Sequence, residues 1–97
     1  MSYQIQISGI SVKGFHGVLP SEKKNGQKFV VDLALKVKGN VKKDDIKSVV
    51  DYSKIIDLVN EEVGGKSRNL IEHLADQIGA RILKDFKLVT EVQITVH

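Results

Sequence analysis

Gln27 to Lys38, QKFVVDLALKVK, alternates with a period of two over its whole length. Phe29, Val31, Leu33, Leu35 and Val37 fall on one side. Lys28, Asp32, Lys36 and Lys38 fall on the other, with Val30 and Ala34 among them. Period two sends successive side chains to opposite faces of a pleated strand. The stretch therefore predicts a strand with one buried and one largely solvated face, and it sets the phase its neighbours must match. Gly39-Asn40 is expected to end it.

Upstream, Tyr3, Ile5 and Ile7 alternate with Ser2, Gln4 and Gln6, a second half-buried strand. Its phase then slips, because Ile10 and Val12 continue the apolar set one step out of register. Ser8-Gly9 lies at the slip, and a bulge there would repair it. This strand is expected to run to about Phe15 and to pair antiparallel with Gln27–Lys38. Between the two lies GFHGVLPSEKKNGQ, with three glycines and the only proline, read as a loop long enough to carry function. Asn25-Gly26 supplies a turn at its end.

Downstream, residues 40–50 are polar, then extended at Ile46 and Val49-Val50. Asp51 or Ser53 can cap a helix. Tyr52, Ile55, Ile56, Val59 and Val63 follow at helical spacing, and Gly64-Gly65 stops the run. Asn69 is expected to start a second helix, with Leu70, Ile71, Leu74, Ala75, Ile78 and Ile82 on one face. Val92, Ile94 and Val96 alternate with Glu91, Gln93 and Thr95, a third strand. The order is strand, strand, helix, helix, strand, an α+β class with an antiparallel sheet. Three strands under two helices leave long unpaired edges, which a folded protein covers or shares with another copy. The third strand runs flush into His97 without a closing turn, so the single domain 1–97 is expected to be incomplete at its C-terminal end.

The chain has 97 residues, 41% hydrophobic and 28% charged, enough for one domain with a modest core. It has no apolar run long enough for a membrane helix. A secretory leader is not expected, since the polar-apolar alternation begins at once. Cysteine is absent, which excludes a disulfide framework and fits a reducing cytoplasm. The net charge of +3 comes from thinly spread basic residues. Without a basic stripe or exposed aromatics, nucleic acid is not an expected partner, and neither is a membrane.

The acids divide into groups with an obvious use and groups without one. Glu72, in NLIEHLA, lies on the border of the apolar helix face. With Asn69 as N-cap it would stand at N3 and could bond back to the Asn69 amide as a capping box. Alternatively, a carboxylate at a helix mouth beside an apolar edge can accept two parallel N–H bonds. The guest with that two-donor fork is a 2-amino-pyrimidinone edge, as in pterin or guanine. Glu22 is either a solvated loop acid or a second polar contact. Tyr52 is either a packing residue with its hydroxyl at the surface or a functional phenol. His16 reads as a loop histidine satisfied by backbone, and His73 as an exposed one. Three scattered histidines without cysteine make no zinc spacing, so no metal is expected. Gly65-Lys66-Ser67 lacks the earlier glycine of a phosphate-binding loop and follows a helix, so no nucleotide site is inferred.

Taken in order, GFHGVLPSEKKNGQKFVVDLAL, then DYSKI, then NLIEHLADQIGARIL resemble the dihydroneopterin aldolase family of folate biosynthesis. The shared pattern is a strand ending in G-F-H-G, a loop glutamate, G-Q-x-F opening an alternating strand, D-Y before the first helix, and N-L-I-E-H-L-A opening the second. The resemblance spans about Ser8 to His97. It implies the tunnelling fold, in which four subunits join their sheets into a barrel and two rings can stack into an octamer, with active sites between neighbouring subunits. It implies that Glu72 anchors the amino-pyrimidinone edge, with Leu70 and Ile71 around it. Glu22 would bind the side-chain hydroxyls. Tyr52 would come from the adjacent subunit with its hydroxyl near the reacting side chain. Val50 and Asp51 would lie by the ring through backbone contacts, and His16-Gly17-Val18 would form part of the pocket wall. No cofactor and no metal is implied. The implied catalytic groups are Tyr52 and Glu22, the implied substrate-binding groups Glu72, Glu22, Tyr52, Ile71, Asp51, Val50 and Val18. The reaction implied is retro-aldol cleavage of 7,8-dihydroneopterin, with phosphorylated-substrate epimerases and non-catalytic pterin binders as relatives. The family also carries a catalytic lysine in a lysine-proline segment after the third strand, and no residue of this sequence matches it.

Overall fold

The computed structural model describes residues 2–38 and 50–97. The expectations placed on Gly39-Asn40, Ile46 and Val49 lie outside the described residues. The elements are β1 (Ser2–Gly14), α1 (Pro20–Asn25), β2 (Gln27–Lys38), α2 (Tyr52–Gly64), α3 (Ile71–Asp85) and β3 (Val89–Val96). The three strands form one antiparallel sheet in the order β1-β2-β3. The α+β class and the succession of strands and longer helices are as expected.

Register explains the core. Tyr3 stands opposite Val37, Ile5 opposite Leu35 and Ile7 opposite Leu33. The pairing then shifts, so that Ile10 faces Val31 and Val12 faces Phe29. Two residues, Ser8 and Gly9, thus oppose one, Asp32, and the slip in apolar phase is absorbed. Gly9 takes φ 75°, and its N–H donates to the Asp32 carboxylate at 2.8 Å. A left-handed φ is accessible to glycine without a steric penalty, and the bulge keeps both halves of β1 on the core face.

A second irregularity was not expected. Between Lys36 and Val37 the β2–β3 pairing shifts, from Glu91 to Val89. Thr90 lies in the gap, and its hydroxyl donates to the Lys36 carbonyl at 3.2 Å. That shift brings Val89 onto the same face as Val92, Ile94 and Val96, which simple alternation forbids.

One face of the sheet is covered by α2 and α3. Phe29, Val31, Leu33, Leu35 and Val37 meet Ile55, Leu58, Val59 and Val63 of α2 and Leu74, Ile78 and Ile82 of α3. Tyr52, expected on the buried stripe of α2, is instead 58% exposed at its first turn, and Leu58 takes a core place. Asp51 is the cap, accepting from the Ser53 amide at 3.1 Å and the Ser53 hydroxyl at 2.6 Å. These bonds, the hydroxyl's first, hold its carboxyl below the usual range. At the other end of α2, Glu62 bonds Arg68 at 2.7 Å and Arg81 at 3.1 Å, tying α2 to the approach to α3 and to α3 itself. Among the described residues, no helix is long and apolar enough to cross a membrane.

Two local expectations need correction. The segment read wholly as loop contains the short helix α1, entered through Pro20 at its first turn and closed by Gly26 at φ 71°. Proline is pre-organised for a helix start, and glycine suits the reversal into β2. The start of α3 also falls one residue later than expected. Leu70, not Asn69, is the N-cap, with extended φ −115° and ψ 128°, and no side chain caps it. The cause lies just upstream. Arg68 is tied to residues 16 and 17, its N–H donating to His16 Nδ1 at 3.0 Å and its carbonyl accepting from Gly17 N at 2.9 Å. The chain cannot turn into a helix until it has cleared that pairing.

Candidate active site

The helix start just described changes the standing of Glu72. It now occupies the second helical position, and the capping box with Asn69 is not made. The side chain is exposed and lines a groove of about 350 Å³ between the start of α3 and the loop after β1. Gly17, Val18, Glu22 and Gln27 line the opposite side, with Leu70 and Ile71 beside Glu72. A carboxylate in the first turn of a helix is also favoured by the helix dipole.

Glu22 reaches the same groove from α1. One carboxylate oxygen accepts from Leu19 N at 3.0 Å and the other from the Gln27 side-chain amide at 3.2 Å. Its carboxyl packs over Gly17, where an added Cβ would stand 2.5 Å from the carboxyl carbon. Gly17 also has φ 132°, so both space and backbone demand glycine there. Sequence reasoning quoted Gln27 within a motif and gave it no role. Its signal was present, since an amide donor that begins β2 immediately after the α1 turn is within reach of an acid on that turn.

The rim is apolar. Val18 is 65% and Leu70 56% exposed. Small grooves that join an apolar wall to a few convergent polar groups suit flat organic ligands. His97 also lines the groove, and its Nε2 lies 3.0 Å from Asp32. Asp32 is held below the ordinary carboxylate range, first by the Gly9 N–H and then by His97. Among the described residues, no three His, Asp or Glu side chains converge on a possible metal position.

Of the expected site residues, Glu72, Glu22, Ile71 and Val18 are brought together, with Gly17. His16 is not in the wall. Its ring is fully buried behind the groove. Val50, Asp51 and Tyr52 are elsewhere in the chain. Val50 and Asp51 line a separate recess of about 550 Å³ with Lys54, Asp85 and Phe86, at the C-terminal end of α3. Tyr52 begins α2 beside it. Along α3 (Ile71–Asp85), the rise from Glu72 to Asp85 alone separates the two sets by about 20 Å.

This geometry agrees with relationships to known proteins. The dihydroneopterin aldolase family model matches residues 5–97. A dihydroneopterin aldolase of Staphylococcus epidermidis is 37% identical over 94 residues, covering 95% of this chain and 78% of that protein. One from Staphylococcus haemolyticus is 42% identical over 84 residues, covering 84% of this chain and 100% of the relative. Among solved structures, E. coli dihydroneopterin aldolase in complex with neopterin superposes with a TM-score of 0.81 at 26% identity, covering 97% of this chain and 83% of that one. Matched by the family model over nearly its whole length and by relatives this similar, the chain belongs to the dihydroneopterin aldolase family.

Proposed function

We propose that the chain binds 7,8-dihydroneopterin and cleaves it to 6-hydroxymethyl-7,8-dihydropterin and glycolaldehyde. The observation that carries the pterin site is Glu72. It stands at a helix mouth beside exposed apolar side chains, and the cap that would have explained it is not made. Its two oxygens fit the ring N–H and exocyclic amine of a pterin as a bidentate, charge-assisted pair. Leu70 and Ile71 flank the ring, and Val18 closes the rim opposite. Glu22, across the groove, accepts from the side-chain hydroxyls.

Cleavage begins with loss of the proton from the 2′-hydroxyl. The C1′–C2′ bond breaks, C2′ becomes the aldehyde of glycolaldehyde, and the electron pair passes into the protonated C6=N5 imine as an enamine. Protonation at C1′ then gives the hydroxymethyl product. Because the ring imine takes the electrons, the reaction needs neither a protein Schiff base nor a metal as electron sink. The protein orients the substrate and moves protons, which is general acid–base work on a fixed geometry. Glu22 holds the hydroxyls at the bond that breaks, and Tyr52 carries a proton by way of water.

Tyr52, Asp51 and Val50 reach the ring from a second copy of the chain. Their placement at the far end of α3 from Glu72 supports this, since no single chain can close both halves on one ligand. A head-to-tail contact of this kind is heterologous and gives a ring when its rotation closes, which fits a tetramer or a stacked octamer. A chain without cysteine needs no oxidising compartment, which supports a cytoplasmic location.

The test is titration with neopterin alongside assay of glycolaldehyde release from 7,8-dihydroneopterin. Glu72→Gln is expected to cost roughly 2–4 kcal/mol of binding, the range for breaking a charge-assisted contact that is desolvated in the complex. Unchanged affinity in a folded variant removes the pterin-anchor role. Binding without glycolaldehyde release moves the chain to the non-catalytic pterin binders. Turnover confined to epimerisation of a phosphorylated substrate moves it to the epimerases.

A further inference from the structure

His16 is the one polar side chain buried in the core among the described residues, and the proposed chemistry does not use it. Both of its ring nitrogens are committed. The Arg68 N–H donates to Nδ1 at 3.0 Å, so Nδ1 carries the lone pair. Nε2 therefore carries the proton, and it donates to the Val63 carbonyl at 2.7 Å. A backbone amide can only donate and a carbonyl can only accept, so the neutral Nε2–H tautomer alone satisfies both partners. The Val63 carbonyl belongs to the last turn of α2, where helix carbonyls lack intrahelical partners.

The ring has no room to shift. Phe29 meets it edge-on at 5.4 Å. On the other side a Cβ at Gly14 would stand 2.8 Å from it. Next to it, Gly17 N donates to the Arg68 carbonyl at 2.9 Å. Three hydrogen bonds thus join residues 16–17 to residues 63 and 68. The segment on one side continues through Gly17 to Glu22, which packs on Gly17. The segment on the other continues from Arg68 into the first turn of α3 and Glu72. Lys23 Nζ also donates to the Ser67 hydroxyl at 3.4 Å, and that hydroxyl to the Phe15 carbonyl, but both bonds are exposed; the link through the His16 ring is the one built on a fully buried side chain.

We propose that His16 is a positioning residue: it sets the distance between the Glu22 and Glu72 carboxylates, and so the preference for a pterin that carries a polyhydroxylated side chain over one that does not. Glu72 alone can hold a bare pterin, because α3 is anchored in the core by Leu74, Ile78 and Ile82, and the backbone bond from Gly17 N to the Arg68 carbonyl still holds the approach to α3 when the His16 ring is changed. Glu22 contributes only if its loop is held at the right span from Glu72. Loss of the two ring bonds leaves the ring site standing and lets the side-chain contact drift. The inference rests on the pterin reading given above.

The experiment compares calorimetric affinities for neopterin and for unsubstituted pterin in the parent chain, His16→Phe, His16→Asn, Glu22→Gln and the double variant His16→Phe/Glu22→Gln. Phenylalanine keeps a ring and drops both bonds; asparagine keeps an acceptor for the Arg68 N–H. His16→Phe is expected to lose about tenfold of the neopterin preference, with bare-pterin affinity nearly kept, as expected when a positioned polar contact is withdrawn. His16→Asn is expected to recover most of that preference. Adding Glu22→Gln to His16→Phe is expected to cost nothing further, the non-additivity of two changes that act through one contact. A folded His16→Phe with the parent's preference, or one that weakens both ligands equally, overturns the proposal. Failure of both His16 variants to fold assigns the residue to stability alone and overturns it as well. A parent chain that binds neither ligand sinks the pterin reading itself, an outcome distinct from either.

Discussion

The Glu22 carboxyl lies directly over Gly17, so close that a methyl group on Gly17 would stand 2.5 Å from the carboxyl carbon. The pairing fixes where one of the two groove acids can be. It also ties the acid to a backbone conformation, φ 132°, that side-chain-bearing residues rarely adopt.

Gly17→Ala is therefore expected to do two things at once. The strained backbone costs on the order of 1–3 kcal/mol of stability, read as a lower unfolding midpoint in urea. The displaced Glu22 weakens neopterin binding more than binding of unsubstituted pterin. Loss of stability with the ligand preference intact would mean that the Glu22 carboxylate takes no part in side-chain recognition.

Gln27→Met removes the amide that bonds Glu22 at 3.2 Å while keeping the length of the side chain. The Leu19 N–H remains on the other oxygen, so the acid is loosened and not released. A loss of about 0.5–1.5 kcal/mol in neopterin binding is expected, the net worth of one ordinary hydrogen bond, with little change in the unfolding midpoint. A loss as large as that of Glu22→Gln would show that Gln27 touches the ligand itself.

The bulge in β1 carries a pH signature. Asp32 is held below its ordinary value of 3.8, first by the Gly9 N–H and then by His97. A carboxyl lowered in the folded state stabilises the fold above its unfolded value, and the contribution is lost as pH falls through the folded value. Asp32→Asn is thus expected to be less stable than the parent at neutral pH. The gap should close as the pH drops below 3.8. A gap independent of pH would mean that the carboxylate charge at the bulge is irrelevant.

The fold was legible where period alone governs it. β2 alternates without interruption, and the slip at Ser8-Gly9 was readable because it broke a pattern on both sides. Thr90 was not readable, since Val89 and Val92 join one face only through a register shift that depends on β2. Glu72 illustrates the same division. Its place at a helix mouth was visible, yet the choice between cap and ligand anchor turned on the exact first residue of α3. That boundary is set by Arg68 pairing with His16 and Gly17, partners some fifty residues away in sequence. Local pattern carries no information about such a contact. The site residues at 50–52 were legible as a motif only, because a site completed by a second chain leaves no mark on the periodicity of one.

That division of the site between copies gives the last prediction. Glu72 lines the groove at the start of α3, whereas Tyr52 begins α2 next to Asp51, which lines the recess at the other end of α3. If each ligand takes Glu72 from one copy and Tyr52 from its neighbour, two defective chains can repair each other. Glu72→Gln and Tyr52→Ala are each expected to lose turnover alone. Co-refolded in equal amounts, they place an intact Glu72 beside an intact Tyr52 at about one quarter of the head-to-tail contacts, since each contact draws its two sides independently. Activity should rise from the background of either variant toward about a quarter of the parent's under the same refolding, the other contacts holding one defect or both. A mixture no more active than its better component, in particles that sedimentation shows to be mixed, would place both residues on a single chain and require α3 to be bridged by some other movement.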